Sequence, residues 1–266
     1  MPPLPPPSSA HRPIAPRAAQ HLLFLQRRWV TAGAALLAAT AGFSNAVVLR
    51  LTGLPVSHLT GNTTRVTIDT AMGNARDLEA VLAIMLSFMI GASIAAAITG
   101  TSKVLPGRRY SAVLALEGMV LLAAAALLVR HGRAALPLAA LACGLQNGMA
   151  NGFFGTVIRT THLTGVLTDI GVMVGHWVRR RRFPPWRFAL LGSIAAAFLV
   201  GGILGAVVAG VLGPSALYLP AVSCLVGAGG FDLWLARRRA ATRSVRGGQE
   251  AVATDPDGDG SPAHAA

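Results

Sequence analysis

Residues 188–211 read FALLGSIAAAFLVGGILGAVVAGV, a run without a charged side chain. A helix needs about 20 apolar residues to cross roughly 30 Å of hydrocarbon, and this run is long enough. Because lipid offers no hydrogen-bond partner to the backbone, such a run must be helical. The sequence therefore predicts an all-α, polytopic membrane protein with about six transmembrane helices. They are placed near residues 30–51, 79–100, 111–130, 134–155, 187–211 and 214–236.

The composition agrees with a lipid environment. Of 266 residues, 53% are hydrophobic and 12% are charged, which leaves too little polar surface to enclose a water-soluble core. The net charge of +13 does not indicate nucleic-acid binding, because the arginines cluster at the ends and between apolar blocks. Cys143 and Cys224 lie inside apolar blocks and predict neither a disulfide framework nor a thiolate metal site.

Both ends of the chain are polar. Residues 1–29 are rich in proline and arginine and predict a disordered cytoplasmic tail without a cleaved secretory signal. Residues 237–266 predict a second disordered tail. An aspartate-rich stretch at residues 255–260 resembles only the first half of an EF-hand loop, so no calcium site is predicted.

The apolar region, residues 30–236, contains an internal repeat. Matching motifs occur in the same order in two halves, residues 30–130 and 131–236, with a two-residue insertion in the second. Each half thus holds three of the six predicted helices. The matches are GFSN at 42–45 with GLQN at 144–147, SHLTG at 57–61 with THLTG at 161–165, and FMIG at 88–91 with FLVG at 198–201.

Three helices per half is an odd number, so the second half enters the membrane from the opposite side and the repeat is inverted. With the N-terminus and C-terminus in the cytoplasm, most basic segments also lie there, as the positive-inside rule requires, although Arg130 and Arg133 do not. In an alternative topology, residues 55–76 and 160–178 also span, giving eight crossings in parallel repeats. The sequence favours six, because eight crossings place Lys103, Arg108 and Arg109 outside.

The segments after the first and fourth helices are too polar for ordinary spans and predict two short, interrupted helices. The unpaired N–H groups at the start of such a helix attract anions or carboxylates. In the inverted arrangement the two helix starts meet near the midplane, as in many secondary transporters. The alternative is that these segments are surface loops whose Thr and Asn residues cap ordinary helices. The candidate substrate-binding residues are His58, Thr60, Gly61, Asn62, Arg65, His162, Thr164, Gly165 and Asp169.

The histidines and charged residues of these segments allow several readings. His58 and His162 are equivalent in the repeat, and an imidazole can titrate, donate to an anion or bind a metal. Even with His176 as a third ligand, a zinc site is the minority reading, so no metal is predicted. Arg65 and Asp69 are expected to neutralise each other at helical spacing. Pairing of Arg65 with Asp169 across a pseudo-two-fold axis is the less favoured alternative.

Other polar residues lie within the predicted helices. Asn45 and Asn147 are expected to form interhelical hydrogen bonds, and Glu117 and Asp232 to face a polar crevice or the membrane interface. No catalytic residue or cofactor is predicted, because no signature of a metalloprotease, hydrolase or nucleotide-binding enzyme occurs. An intramembrane enzyme with two histidines as acid and base is the least favoured reading, since no nucleophile accompanies them.

The motifs at residues 42–47 (GFSNAV), 56–63 (VSHLTGNT), 144–147 and 160–165 resemble the YoaK family of bacterial membrane proteins. The resemblance covers residues 30–236. It implies a bacterial inner-membrane location and a multi-helix body, and the family's domain of unknown function supplies no substrate. Family members often carry an acidic residue where this chain has Asn45, which argues against a proton-carrying carboxylate at that position.

Two functional classes follow. The first is a transporter or channel for a small solute, an anion or carboxylate, with a midplane site made by the two His-Leu-Thr-Gly motifs. The second is a non-transporting membrane scaffold in which the polar residues only fasten helices together. In the scaffold, the basic loop at residues 179–182 with Trp186 would bind anionic lipid or a protein partner.

Overall fold

The computed structural model describes residues 17–73, 77–100, 107–150, 160–179 and 185–253. These residues form helices and turns, with no strand among them, which confirms the all-α class. The α-helices within these ranges are α1 (Arg17–Thr52), α2 (Leu59–Ala71), α3 (Leu78–Thr99), α4 (Arg108–His131), α5 (Leu136–Ala150), α6 (Leu163–Val178), α7 (Pro185–Leu212) and α8 (Tyr218–Ala253).

Four helical stretches in the described part of the chain are long and apolar enough to cross a membrane. α1 and α3 provide two; α4 with α5 forms a third of 43 residues, and α7 with α8 a fourth of 54. Each of these longer stretches turns at a short 3-10 segment that begins with a glycine at positive φ, Gly132 (52°) and Gly213 (57°). A polytopic membrane architecture is confirmed, and the count of six crossings stays a prediction.

Helical structure extends into both predicted tails. α1 begins at Arg17, within the segment 1–29 predicted to be disordered, and α8 continues to Ala253, past residue 237. The apolar helix next to each segment explains the extension, because adding residues to an existing helix avoids the cost of nucleation. Residues 1–16 and 254–266 lie outside the described residues.

α1 and α7 pack at backbone contact and run in the same direction. Gly201 faces the carbonyl group of Ala39, and Gly205, one turn later, faces Phe43, also one turn later. A Cβ atom at either glycine would collide with the facing backbone. Small residues are what allow helices in lipid to approach this closely.

α3 and α5 repeat this contact. Gly144 faces the carbonyl group of Phe88, and Gly148 faces Ala92, so these helices are also parallel. In the register of the repeat, α5 corresponds to α1 and α3 to α7. The same packing is therefore made twice, each time between one helix of each half.

α4 and α8 also pack against each other across the two halves, and they run in opposite directions. The hydroxyl of Ser111 donates to the carbonyl of Ala228 at 3.0 Å. Gly118, further along α4, faces Ala221, which comes earlier in α8. The Trp29 ring, at the start of the apolar part of α1, lies 6.4 Å from that of Trp234, in the middle of α8.

A series of polar contacts shows in which direction α3 and α5 run relative to α1. Arg65 contacts the carbonyl group of Gly53, which follows α1, and also Asp77, which precedes α3. Asp77 binds Arg133, which precedes α5. The end of α1 therefore lies beside the starts of α3 and α5. α1, α4 and α7 run one way and α3, α5 and α8 the other, which is the order of directions in an inverted repeat.

Candidate functional site

After α1 the chain turns back into the bundle. The side-chain oxygen of Asn45 accepts hydrogen bonds from the backbone N–H groups of Val56 and Ser57, both at 3.1 Å. Asn45 lies about two turns before the end of α1, so these bonds draw the connecting segment back along that helix. The ring of His58 then lies 5.6 Å from the ring of Phe198, halfway along α7. α2 thus begins at mid-depth in the bundle.

The segment before α6 is held in a similar way. The side-chain oxygen of Asn147 accepts from the hydroxyl of Thr161 at 3.0 Å. The amide of Gln146 donates to the hydroxyl of Thr160 at 3.1 Å and to the carbonyl of Leu37, near the middle of the apolar part of α1, at 2.6 Å. α6 therefore also begins at mid-depth.

The role predicted for the two asparagines is corrected by these bonds. The sequence predicts interhelical hydrogen bonds for Asn45 and Asn147, but each binds the non-helical segment that leads into a short helix. The bonds satisfy polar groups that would otherwise be unpaired inside the bundle. The sequence did contain a signal for these bonds, because each Asn has an equivalent position in the repeat, about a dozen residues before a His-Leu-Thr-Gly motif.

The two histidines are placed differently at their helix starts. Nδ1 of His162 accepts from the backbone N–H of Gly165 at 3.0 Å and so caps α6. Nδ1 of His58 lies 3.0 Å from the Ser57 hydroxyl, and no side-chain cap bonds the first turn of α2. The first turn of α2 therefore lacks the side-chain acceptor that the first turn of α6 has. The alternative reading expected Thr and Asn residues to cap these helices, whereas the cap of α6 is a histidine and α2 has no side-chain cap.

The remaining uncharged candidates lie in the first turns of the two short helices. Thr60 and Thr164 have exposed side chains, and Gly61 faces open space. Asn62 is 1% exposed. Its amide nitrogen donates to the carbonyl of Pro55 at 2.6 Å, and its oxygen has no hydrogen-bond partner among the described residues.

An ion-pair network fixes the far end of α2. Arg65 lies 2.8 Å from Asp77 and 3.8 Å from Asp69. Asp77 also binds Arg133 at 2.5 Å. The predicted pairing of Arg65 with Asp69 is confirmed, but the shorter contact is with Asp77, a partner that nothing in the sequence indicates.

In the middle of α6, Asp169 lies 2.9 Å from Arg187 in the first turn of α7. Asp77 and Arg187 are equivalent in the register that aligns residues 88–91 with 198–201. The two halves thus contain the same ion pair with exchanged signs. Pairing of Arg65 with Asp169 was wrong, because each residue binds the start of the next long helix in its own half.

No group of three His, Cys, Asp or Glu side chains in the described ranges has the geometry of a metal site. His176, considered as a third ligand, lies near the end of α6, 14 residues after the cap at His162. At the helical rise this separation is about 20 Å, too long for a shared ion.

Replacing Asn45 with alanine is expected to lower the free energy of unfolding by about 1–3 kcal/mol, because two buried N–H groups lose their acceptor. For a chain of this size the melting temperature should fall by about 2–4 °C per kcal/mol. Asn45→Asp keeps the acceptor and should retain most of the stability. The control is Ser44→Ala, because the Ser44 hydroxyl is buried without a partner in the described residues. Equal melting temperatures for Asn45→Ala and Ser44→Ala would contradict the assigned role.

Comparison with known proteins identifies the family. A family model described as "Protein of unknown function (DUF1275)" matches residues 33–230. A UPF0700 transmembrane protein of Rhizobium meliloti (strain 1021) is 29% identical over 207 residues, which cover 76% of this chain and 87% of that protein. No solved structure matches. These matches confirm the resemblance to the YoaK family, and the chain belongs to this family of transmembrane proteins of unknown function, DUF1275.

Proposed function

We propose that the protein is a transporter or channel for a small anionic or carboxylate solute. The observation that carries this proposal is that α2 and α6 begin at mid-depth and leave toward opposite ends of the bundle. Discontinuous helices of this kind form the solute sites of many secondary transporters. We propose no catalytic role for the site.

The length and direction of the short helices support an anion site. α2 has 13 residues and α6 has 16, so each is roughly 20–24 Å long and falls short of the hydrocarbon thickness. Their N-terminal ends carry the positive ends of the helix dipoles, and no side-chain cap bonds the first turn of α2. An anion or carboxylate between these ends would be stabilised by both helices.

The proposed topology has six crossings and both termini in the cytoplasm of a bacterium. The positive-inside rule places the end where α1 begins on the cytoplasmic side of the inner membrane. At the opposite end, the carboxylates of Asp69 and Asp77 offset part of the basic charge. The arginines at the cytoplasmic end include Arg28, Arg108, Arg109, Arg179, Arg187, Arg237 and Arg238.

The ion pairs at the two ends supply a means of alternating access. Arg65–Asp77 holds α2 to the start of α3 on one side, and Asp169–Arg187 holds α6 to the start of α7 on the other. Release of one pair while the other stays closed would open the site to one side at a time. Rocking of one repeat against the other is the usual form of this motion.

Cysteine accessibility tests the proposal. In a background with Cys143→Ala and Cys224→Ser, Thr60→Cys and Thr164→Cys are expected to react with a membrane-impermeant maleimide in sealed vesicles, from at least one face. The matched control is Leu199→Cys, since Leu199 is 62% exposed in mid-helix on α7 and should face lipid. If both threonine positions are as unreactive as position 199 in folded protein, the solute site is refuted.

The scaffold is the second candidate, and a specific observation favours it. The hydroxyl groups of Thr63, Thr64 and Thr67 donate to carbonyl groups of their own helix, α2. A threonine whose hydroxyl is satisfied in this way can face lipid or another helix without a solute. Unreactive cysteines at positions 60 and 164 would favour this candidate over transport.

A further inference from the structure

Glu117 lies near the middle of α4, where the two halves of the protein meet. α4 belongs to the first half and packs against α5 and α8 of the second. The Glu117 residue is 1% exposed. Its carboxyl group is within hydrogen-bonding reach of the Cys224 thiol on α8, and Cys143 on α5 is also close to it.

Among the described residues, no basic side chain compensates the charge of this carboxyl group. Cys143 and Cys224 belong to an apolar cluster built largely of Leu, Ala and Val side chains. In the part of the chain that the structure describes, Glu117 forms no ion pair with a basic side chain, and its Oε2 atom has no hydrogen-bond partner. A buried, unpaired carboxylate costs several kcal/mol, whereas a neutral acid avoids most of that cost.

The titratable groups around Glu117 are few. The thiol of Cys224 faces it from α8 and that of Cys143 from α5. From the described residues of α3 and of the turns at 132–135 and 213–217, no ion pair reaches it. The protonation of Glu117 therefore depends chiefly on whether water reaches the contact between α4, α5 and α8.

We propose that Glu117 is a proton-binding site within the membrane, neutral when α4 is packed against α5 and α8, and ionised when these helices separate. An ionisable residue buried in a transmembrane helix usually marks a pathway for ions or protons. Separation of the halves would admit water and release the proton. In the transporter proposed above the coupling ion is then the proton, and this last step rests on that proposed function.

Infrared spectroscopy of the full-length protein in lipid vesicles tests the proposal without a solute. At neutral pH the wild type should show the carbonyl stretch of a protonated carboxylic acid, and Glu117→Gln should lose that band. The control, Glu79→Gln in the first turn of α3, should keep it. As the pH is raised on folded protein, the wild-type band should give way to carboxylate bands.

Two results would overturn the assignment. If Glu117→Gln removes a carboxylate band at neutral pH, the residue is already ionised and its environment is not the one inferred. If the acid band persists at every pH up to unfolding, Glu117 is a fixed hydrogen-bonding group and not a binding site. Neither result bears on the cysteine experiment, so failure of this inference and of the solute site can be told apart.

Discussion

Gly201→Val is expected to abolish recovery of monodisperse, folded protein from membranes. A Cβ atom at this position would overlap the carbonyl group of Ala39 on α1. Overpacking usually costs about 1–3 kcal/mol and more when the neighbour cannot move. Here the neighbour is helical backbone, so α1 and α7 must separate along their contact. Size-exclusion chromatography of a fluorescent fusion in detergent measures the loss.

Gly192→Val is the matched control. Gly192 lies on the same helix, and a Cβ atom there would meet nothing within 4 Å. The same side chain is then added to α7 without a clash, so the yield should stay close to that of the wild type. Similar elution profiles for the two variants would show that α1 and α7 do not approach as closely as the structure indicates.

The repeat extends this expectation to the other half. Gly91 is equivalent to Gly201 and faces the carbonyl group of Leu141 on α5. Gly91→Val should therefore give a similar defect through the contact between α3 and α5. A mild effect at Gly91 beside a severe one at Gly201 would mean that the two contacts are not equivalent in stability.

The second large effect is expected for Asp77→Ala. Asp77 is 6% exposed and binds two arginines from different parts of the chain. Loss of the carboxylate leaves the two guanidinium groups facing each other, and only the 3.8 Å contact of Arg65 with Asp69 then offsets their charge. The cost should be about 1–3 kcal/mol, below the range for a fully buried pair, because Arg65 and Arg133 are 49% and 45% exposed. Thermal melts in detergent would measure the shift.

Asp69→Ala is the control for Asp77→Ala. It also removes a carboxylate that contacts Arg65, but it leaves both contacts of Asp77 in place. The contact of Asp69 with Arg65 is 3.8 Å long and exposed, so its removal should change stability by less than about 1 kcal/mol. The defect of Asp77→Ala should also shrink at high salt, since screening weakens the repulsion between the arginines. Equal effects of the two substitutions would show that Asp77 does not join the starts of α3 and α5.

Much of the helical body could be predicted from hydropathy, and the repeat predicted where the short helices lie. The predicted block 79–100 matches α3 at Leu78–Thr99 and the block 187–211 matches α7 at Pro185–Leu212, because a long apolar run in lipid has one backbone solution. The His-Leu-Thr-Gly motifs also lie at the starts of α2 and α6.

Contacts between elements were not predictable from local spacing. No periodic pattern in the sequence marks Asp77 or Arg187 as a member of an ion pair. Only the fold decides which side chains they bind. Glycine spacing was equally uninformative. Gly201 and Gly205 contact a facing helix, whereas Gly171 and Gly175 have the same spacing and face open space.

Helices of each half pack against helices of the other half, and this arrangement governs how the protein can be assembled during synthesis. α1 packs against α7 and α3 against α5, so the first half leaves the ribosome before the partners of its glycine-lined faces exist. Insertion of a helix precedes its packing, and lipid must cover these faces in the interval. A nascent chain that ends after α4 therefore lacks the surfaces that would complete its fold, and both halves reach their final packing together.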